Sequence, residues 1–412
     1  MPSTSRPNIL FVDYGVSYGG SIVSLSALIK GLTELSFTNI TVVTFQPLAE
    51  ITNLFPNNIK IIHFSTIFNY QNKQNFEQAL KHLGGPSIAN RFILKLYGLL
   101  IDLNEAFVLR KLEIILRKNK IDTLHLNNGF KSNAISLAKK HDVKTFVHIR
   151  GIPKLEDYSG KKIDAVLAAY VNRYFAISKV SADAALNIGV PKSKLEILPN
   201  PIDYKQFSSK YQLREKIRSQ YSLTEKSVVF GIFGRLTYWK GQLELVNCAI
   251  PLLKRYDHMH LMVVGNAANK KEEEYLERIQ SLLKQHTDVQ ARVIFTGYQS
   301  DVAAYYAATD VVVHNSSLPE PFGRVIIEGM AGRNAVIAMD EGGPKDIISH
   351  GNDGLLVTPR DSKALYKAME QLYLDSCFRE RLSLKALTTV KNNFSTVVLA
   401  EKVANHYKQT AK

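Results

Sequence analysis

The sequence predicts an α/β fold of two doubly wound parallel sheets, and three observations carry that expectation. Short β-branched runs alternate with longer helical stretches from one end of the chain to the other, the order that lays helices over a parallel sheet. The strand-like runs are apolar throughout instead of alternating, which suits strands buried on both faces. The chain has 412 residues, more than one hydrophobic core ordinarily supports.

In chain order, the first half offers strands at 8–12, 40–45, 59–64, 123–126, 145–149, 173–177 and 195–199. The second half offers 228–234, 260–265, 292–297, 310–315, 335–339 and 354–359. Between the halves, ILPNPIDYKQF (197–207) breaks the periodicity with two prolines and an asparagine. The expected division is residues 1–200 as one domain and 201–393 as a second. The stretch 394–412 is a helix, apolar at Val398, Val403 and Tyr407, expected to pack back on the first domain. Ligands of such sheets sit at the carboxyl ends of the strands. Two facing domains would therefore share one cleft.

Hydrophobic residues make up 45% and charged residues 22% of the chain, as in ordinary globular proteins. Cys248 and Cys377 lie far apart with no metal-ligand spacing, suggesting a reducing compartment and no disulfide framework. The opening MPSTSRPNILFVDYG has four consecutive apolar residues before Asp13, too short for a signal peptide or a spanning helix. The expected location is cytoplasmic, or peripheral on the inner face of the plasma membrane. The formal net charge of +15 favours an anionic partner. No nucleic-acid module accompanies it, which leaves phosphorylated substrates and an acidic membrane.

FGRLTYWKGQ (233–242) follows the strand 228–234 and carries glycines with two cations. Arg235 offers a planar fork and Lys240 a movable point charge for a diphosphate, although two solvated loop cations give the same pattern. On the same sheet edge lies SSLPEPFGRVIIEGMAG (316–332). Pro319 and Pro321 bracket Glu320, Gly323 sits near a helix start, and Glu328 follows within an apolar run. Early acids at a helix's positive end are the bland reading. A helix N-terminus that offers N–H groups, with a glycine for close approach, is the sharper one. Were the segment helical throughout, the two acids would stand roughly 12 Å apart along the axis, enough to reach hydroxyls on either side of a diphosphate.

EPFGRVIIE resembles the E-x7-E motif of retaining glycosyltransferases of family four, and FGRLTYWKG resembles their G-R-x-x-x-x-K-G element. The likeness continues in ILPNPIDYKQF, FTGYQSDVAAYYAATDVVV and DGLLVTPRD. It is thinner in VDYGVSYGGSIVSL and FVHIRG. It implies the GT-B fold, two Rossmann-like domains facing across a cleft. It further implies transfer of a hexose, with retention, from a UDP- or GDP-linked sugar to a glycan or lipid-linked acceptor in cell-surface polysaccharide or glycoconjugate synthesis. On matching positions, Glu320 would bind hydroxyls of the donor sugar, while Phe322, Gly323 and Val325 would present backbone groups. Glu328 would hold the ribose, and Arg235, Lys240 and the Gly234 loop the departing diphosphate. Gly19 and Gly20 would approach the phosphates, and His148 would contact the donor sugar. Gly265 and Tyr298 are weaker candidates for the nucleotide. In MDEGGPKDII, Glu341 stands where a small residue is more usual and Asp346 where glutamate is frequent, which bears on sugar selectivity.

No D-x-D pair stands at a strand end, so no cofactor or metal is expected, and cations with helix N–H groups would stabilise the leaving group. A non-hydrolysing nucleotide-sugar epimerase and a catalytically silent carbohydrate-binding scaffold are the alternatives. The region 91–120 places Phe92, Leu96, Leu99, Leu100, Leu103, Phe107 and Leu112 on one apolar face among seven basic and three acidic residues. Such a helix packs against a core or lies on an anionic membrane surface.

Overall fold

The computed structural model describes residues 6–15, 19–64 and 88–409. It divides into two units. Of the described residues, those up to 176 together with 181–196 and 400–409 form the first, and 177–180 with 197–399 the second.

The first unit holds a seven-stranded sheet. Its strands are β1 (Ile9–Asp13), β2 (Ile40–Thr44), β3 (Lys60–His63), β4 (Thr123–Leu126), β5 (Lys144–Ile149), β6 (Arg173–Ala176) and β7 (Leu195–Ile197). Their order is β3-β2-β1-β4-β5-β6-β7. Parallel registers run from Ile9↔Ile40 on one side of β1 to Ile9↔Thr123 on the other. The order reverses between β1 and β4, so the crevice for a ligand opens at the carboxyl ends of those two strands. The expectation of a strand at every one of the seven positions holds, because β1, β2 and β4 are buried at every residue.

The second unit holds β8 (Val228–Phe233), β9 (Met259–Val264), β10 (Val293–Gly297), β11 (Val311–His314), β12 (Ala335–Met339) and β13 (Leu355–Val357). Their order is β10-β9-β8-β11-β12-β13, again parallel, with the reversal between β8 and β11. Alternate residues face different cores. Phe230, Ile232, Val311, Val313 and Ile337 join one cluster, whereas Val229, Phe233, Val312, Val336 and Ala338 join the other. Both faces are covered, which is why these strands read as unbroken apolar runs.

The long helix Ile88–Lys118 presents two different faces. Ile101, Val108, Leu112 and Leu116 are buried, while Phe92, Leu96, Leu99, Leu103 and Phe107 are exposed. Leu112 therefore belongs to the core side and not to the exposed apolar stripe with which the sequence pattern groups it. No helix among the described residues is long and apolar enough to cross a membrane. The final helix, Thr396–Gln409, buries Val403, Ala404 and Tyr407, and the Tyr407 ring meets Phe37 and Phe146 of the first unit edge-on.

Candidate functional site

In the second unit the loops after β8 and β11 are tied together through backbone carbonyls. The Asn315 side-chain Nδ2 donates to the Gly241 carbonyl at 2.8 Å, and the Ser317 backbone N–H to the Trp239 carbonyl at 2.8 Å. Gly241 has φ +72°, and a Cβ there would come within 2.1 Å of the Asn315 carbonyl oxygen. Only glycine permits this approach. The result is a direct contact that neither loop contains alone, in which Lys240 Nζ donates to Glu320 Oε1 at 2.6 Å. Lys240 also sits 4.2 Å from the centre of the Trp239 ring, a cation–π contact.

Glu320 Oε2 accepts from the Ser316 hydroxyl at 3.0 Å and contacts His314 Nε2. Burial alone would push this carboxyl up, but His314 and Lys240 outweigh it and hold Glu320 well below the usual carboxylate range. It is therefore a fixed anion, unsuited to donating a proton. His314, the last residue of β11, is buried, and its Nδ1 has no hydrogen-bond partner among the described residues. His314 and Ser316 escaped the sequence reading. The available signal was a histidine ending a buried strand, the same feature that singled out His148.

The helix begins where the sequence places it, at Gly323. It runs Arg324–Ala331, with Gly323 as N-cap at φ +96°. Glu320 precedes it and pairs with Gly342 in an isolated bridge, its carbonyl accepting the Gly343 N–H at 2.8 Å. The roughly 12 Å helical spacing considered for Glu320 and Glu328 thus does not describe them. A left-handed turn at Gly323 separates the two acids, and only Glu328 is helical. Glu328 pairs with Arg324 at 3.0 Å and accepts from the Tyr306 hydroxyl at 3.0 Å. Phe322 is buried against Phe394 and Val325 packs on the same core.

Arg235 stands apart from the Lys240–Glu320 contact. Its Nε pairs with Glu272 at 3.1 Å while its side chain is 61% exposed. Gly234 and Gly265 both have positive φ, and a Cβ on Gly265 would lie 2.0 Å from the Gly234 carbonyl oxygen. The local geometry thus gives Gly265 a packing role at the ends of β8 and β9. Tyr298, just after β10, is exposed. Glu341 forms a two-pronged pair with Arg360, and Asp346 accepts the Lys179 N–H at 2.6 Å.

In the first unit, Gly19 is the N-cap of the helix Gly20–Glu34, where an added Cβ would meet open space. The part of VDYGVSYGG at 16–18 lies outside the described residues. Asp13, at the end of β1, is buried and accepts from Gln46 (2.7 Å), Asn127 (2.8 Å) and Asn128 (2.9 Å). Burial raises its pKa, opposed by these amides and Arg150. His148, next to last in β5, is fully buried, with Nδ1 2.8 Å from His125 Nε2. Just beyond β4 and β5 opens a cavity of about 350 Å³ whose lining includes Asn128, Lys131, Arg150 and Tyr158. The amide cluster around Asp13 was not foreseen, since the sequence separates its members by up to 115 positions.

Two family models match the chain. The model of glycosyl transferases group 1 covers residues 214–388, and that of glycosyltransferase family 4 covers residues 59–206. An uncharacterized glycosyltransferase of Methanocaldococcus jannaschii, MJ1607, is 28% identical over 58% of this chain and 62% of its own. The lipopolysaccharide core biosynthesis glycosyltransferase LpsD of Rhizobium meliloti is 32% identical over 42% of this chain and 47% of its own. The matched stretch thus spans less than two thirds of either relative. Among solved structures, Anabaena Alr3699/HepE in complex with UDP superposes with a TM-score of 0.74 at 22% identity, covering 98% of this chain and 100% of that one. That protein is also solved with UDP and glucose and with UDP-glucose.

The Lys240–Glu320 contact fixes a pH dependence. Glu320 has a folded-state pKa below its unfolded value, so its stabilisation is full above the unfolded carboxylate range, near pH 4.3, and fades as pH falls through the folded value. Glu320→Gln should therefore lower stability by about 1–3 kcal/mol at pH 7, with the deficit shrinking below about pH 4. Urea unfolding of both proteins at the two pH values measures this. A deficit unchanged by acid would contradict it.

Proposed function

The chain belongs to the group 1 glycosyltransferases of family four, and from that premise we propose that it moves a hexose from a nucleotide-linked donor to a glycan or lipid-linked acceptor in polysaccharide synthesis, with retention of configuration. The observation that carries this reading is the ammonium–carboxylate contact of Lys240 and Glu320 beside the Gly323 helix start. It lies at the carboxyl ends of the strands flanking the sheet reversal, where doubly wound sheets take their ligands.

In this reading the departing diphosphate meets positive potential supplied by the protein, without a metal. An ammonium has three donors. Lys240 spends one on Glu320, which leaves the others for phosphate oxygens. Arg235 contributes its planar fork, and its largely exposed pairing with Glu272 costs little to exchange. The N–H groups at the start of Arg324–Ala331 add partial charge. Glu320, held ionised at neutral pH by His314 and Lys240, accepts sugar hydroxyls and stabilises positive charge developing on the reacting carbon. Glu328 holds an ion pair with Arg324 and a hydrogen bond from Tyr306, and the remaining lone pairs of a carboxylate suit a ribose hydroxyl. The likeness to HepE, solved with UDP and UDP-glucose, favours a uridine nucleotide as donor.

The exposed Phe92, Leu96, Leu99, Leu103 and Phe107, on a helix that also carries Lys95, Arg110 and Lys111, suit an anionic membrane surface. A lipid-linked acceptor would be met there.

Three measurements test the reading. A thermal-shift panel of UDP, GDP, ADP and their hexose conjugates should show one nucleotide series stabilising the fold, by about 2.7 kcal/mol at one hundred times Kd. No response to any of them would overturn it. Lys240→Ala should lower donor turnover by about two to three orders of magnitude, and near-normal turnover would refute the role given to the lysine. The protein should float with vesicles containing phosphatidylglycerol and not with phosphatidylcholine alone, whereas recovery with neither would sink the membrane proposal.

A further inference from the structure

Buried in the first unit, three side chains form a continuous hydrogen-bonded chain outside the donor chemistry just described. His148 Nδ1 lies 2.8 Å from His125 Nε2, and His125 Nδ1 lies 2.5 Å from the Tyr407 hydroxyl. All three residues are at most 1% exposed. The His125 ring is stacked with Phe11 at 4.9 Å and with His148 at 5.0 Å, and the Tyr407 ring meets Phe146 edge-on at 4.9 Å. Packing this close prevents either imidazole from turning over. The remaining ring nitrogen, His148 Nε2, is buried without a hydrogen-bond partner among the described residues.

Counting protons along the chain leaves two arrangements. Burial, with Arg150 adding to it, holds both imidazoles well below their ordinary pKa, so both are neutral and each has one N–H and one bare nitrogen. Burial likewise raises the Tyr407 phenol, which keeps its proton. In one arrangement the phenol donates to His125 Nδ1. The His125 proton must then sit on Nε2 and donate to His148 Nδ1, leaving the His148 proton on Nε2. In the other, every bond reverses and His148 Nε2 is bare. A phenol donates more readily than it accepts, and a bare imidazole nitrogen is a good acceptor, so the first arrangement is favoured.

We propose that Tyr407 and His125 are positioning residues that lock His148 in its Nε2–H tautomer, giving the first unit a fixed, neutral hydrogen-bond donor for a substrate oxygen. What the N–H meets, a sugar hydroxyl or ring oxygen, rests on the glycosyltransferase reading. The relay itself does not. A donor set in this way keeps its direction and charge across the neutral pH range, which a solvent-exposed histidine does not. It also gives a residue of the final helix an effect on a strand-end histidine 259 positions earlier in the chain.

The test is nitrogen-15 NMR of the full chain with labelled histidine, where protonated and bare ring nitrogens give widely separated signals. The wild-type spectrum should place the proton of both His125 and His148 on Nε2, and a His148 proton on Nδ1 would overturn the proposal without any variant. Tyr407→Phe keeps the packed ring and removes only the donor. It should convert the single His148 signature into two exchanging tautomers and lower turnover about three- to tenfold with KM nearly unchanged. An unchanged His148 signature in that variant would also overturn the proposal. Should the nucleotides fail to bind while the spectra behave as expected, the transferase reading falls and the relay stands.

Discussion

The contact between the Lys240 ammonium and the Glu320 carboxylate is the interaction on which the second unit's site depends. Their side chains are 15% and 14% exposed, so both charges have given up most of their water. Such a pair recovers its desolvation cost only with good geometry and further hydrogen bonds. Ser316 and His314 supply these on the carboxylate side, and the Trp239 ring faces the ammonium. A hydrophobic pair would stabilise the fold as well or better. The charges are more economically understood as a preorganised environment for a charged ligand.

Backbone contacts that exclude side chains hold that environment in place. A Cβ on Gly343 would lie 2.4 Å from the Phe322 Cα, and one on Gly342 2.6 Å from the Glu320 carbonyl oxygen. With Gly241 against Asn315, three glycines let three strand-end loops close on one another. The carboxylate is thus aimed by main chain, whose position no side-chain rotamer alters.

All thirteen strands were legible in the sequence, and for a physical reason. Most are buried on both faces and therefore largely apolar, so they stand out from the amphipathic helices between them, while the edge strands β3, β7 and β10 are only partly buried and keep shorter apolar runs. The Lys240–Glu320 pairing was half legible. FGRLTYWKG and EPFGRVIIE could be placed on one sheet edge, but spacing does not reveal which cation meets which acid, and Arg235 in fact pairs with Glu272. The helix start near Gly323 was legible from the glycine ahead of an apolar run, whereas the separation of the two acids was not, because Gly323 adopts a left-handed conformation that leaves Glu320 outside the helix. Least legible were His314 with Ser316 and the polar cluster of Asp13. His314 and Ser316 meet Glu320 from within the same loop, through a chain reversal that spacing does not reveal, whereas the partners of Asp13 come from distant segments brought together by the parallel sheet. One parallel emerges only from the structure: His148 and His314 each end or nearly end a buried strand, each with one ring nitrogen bonded and the other buried without a hydrogen-bond partner among the described residues.

The central claim is that Lys240, with the helix start at Gly323, grips the diphosphate of a nucleotide. A crystal structure of the protein soaked with UDP tests it most directly. Diphosphate density is expected within hydrogen-bonding distance of Lys240 Nζ and of the N–H groups following Gly323, with the ribose against Glu328. A nucleotide bound with its phosphates remote from all three would contradict it.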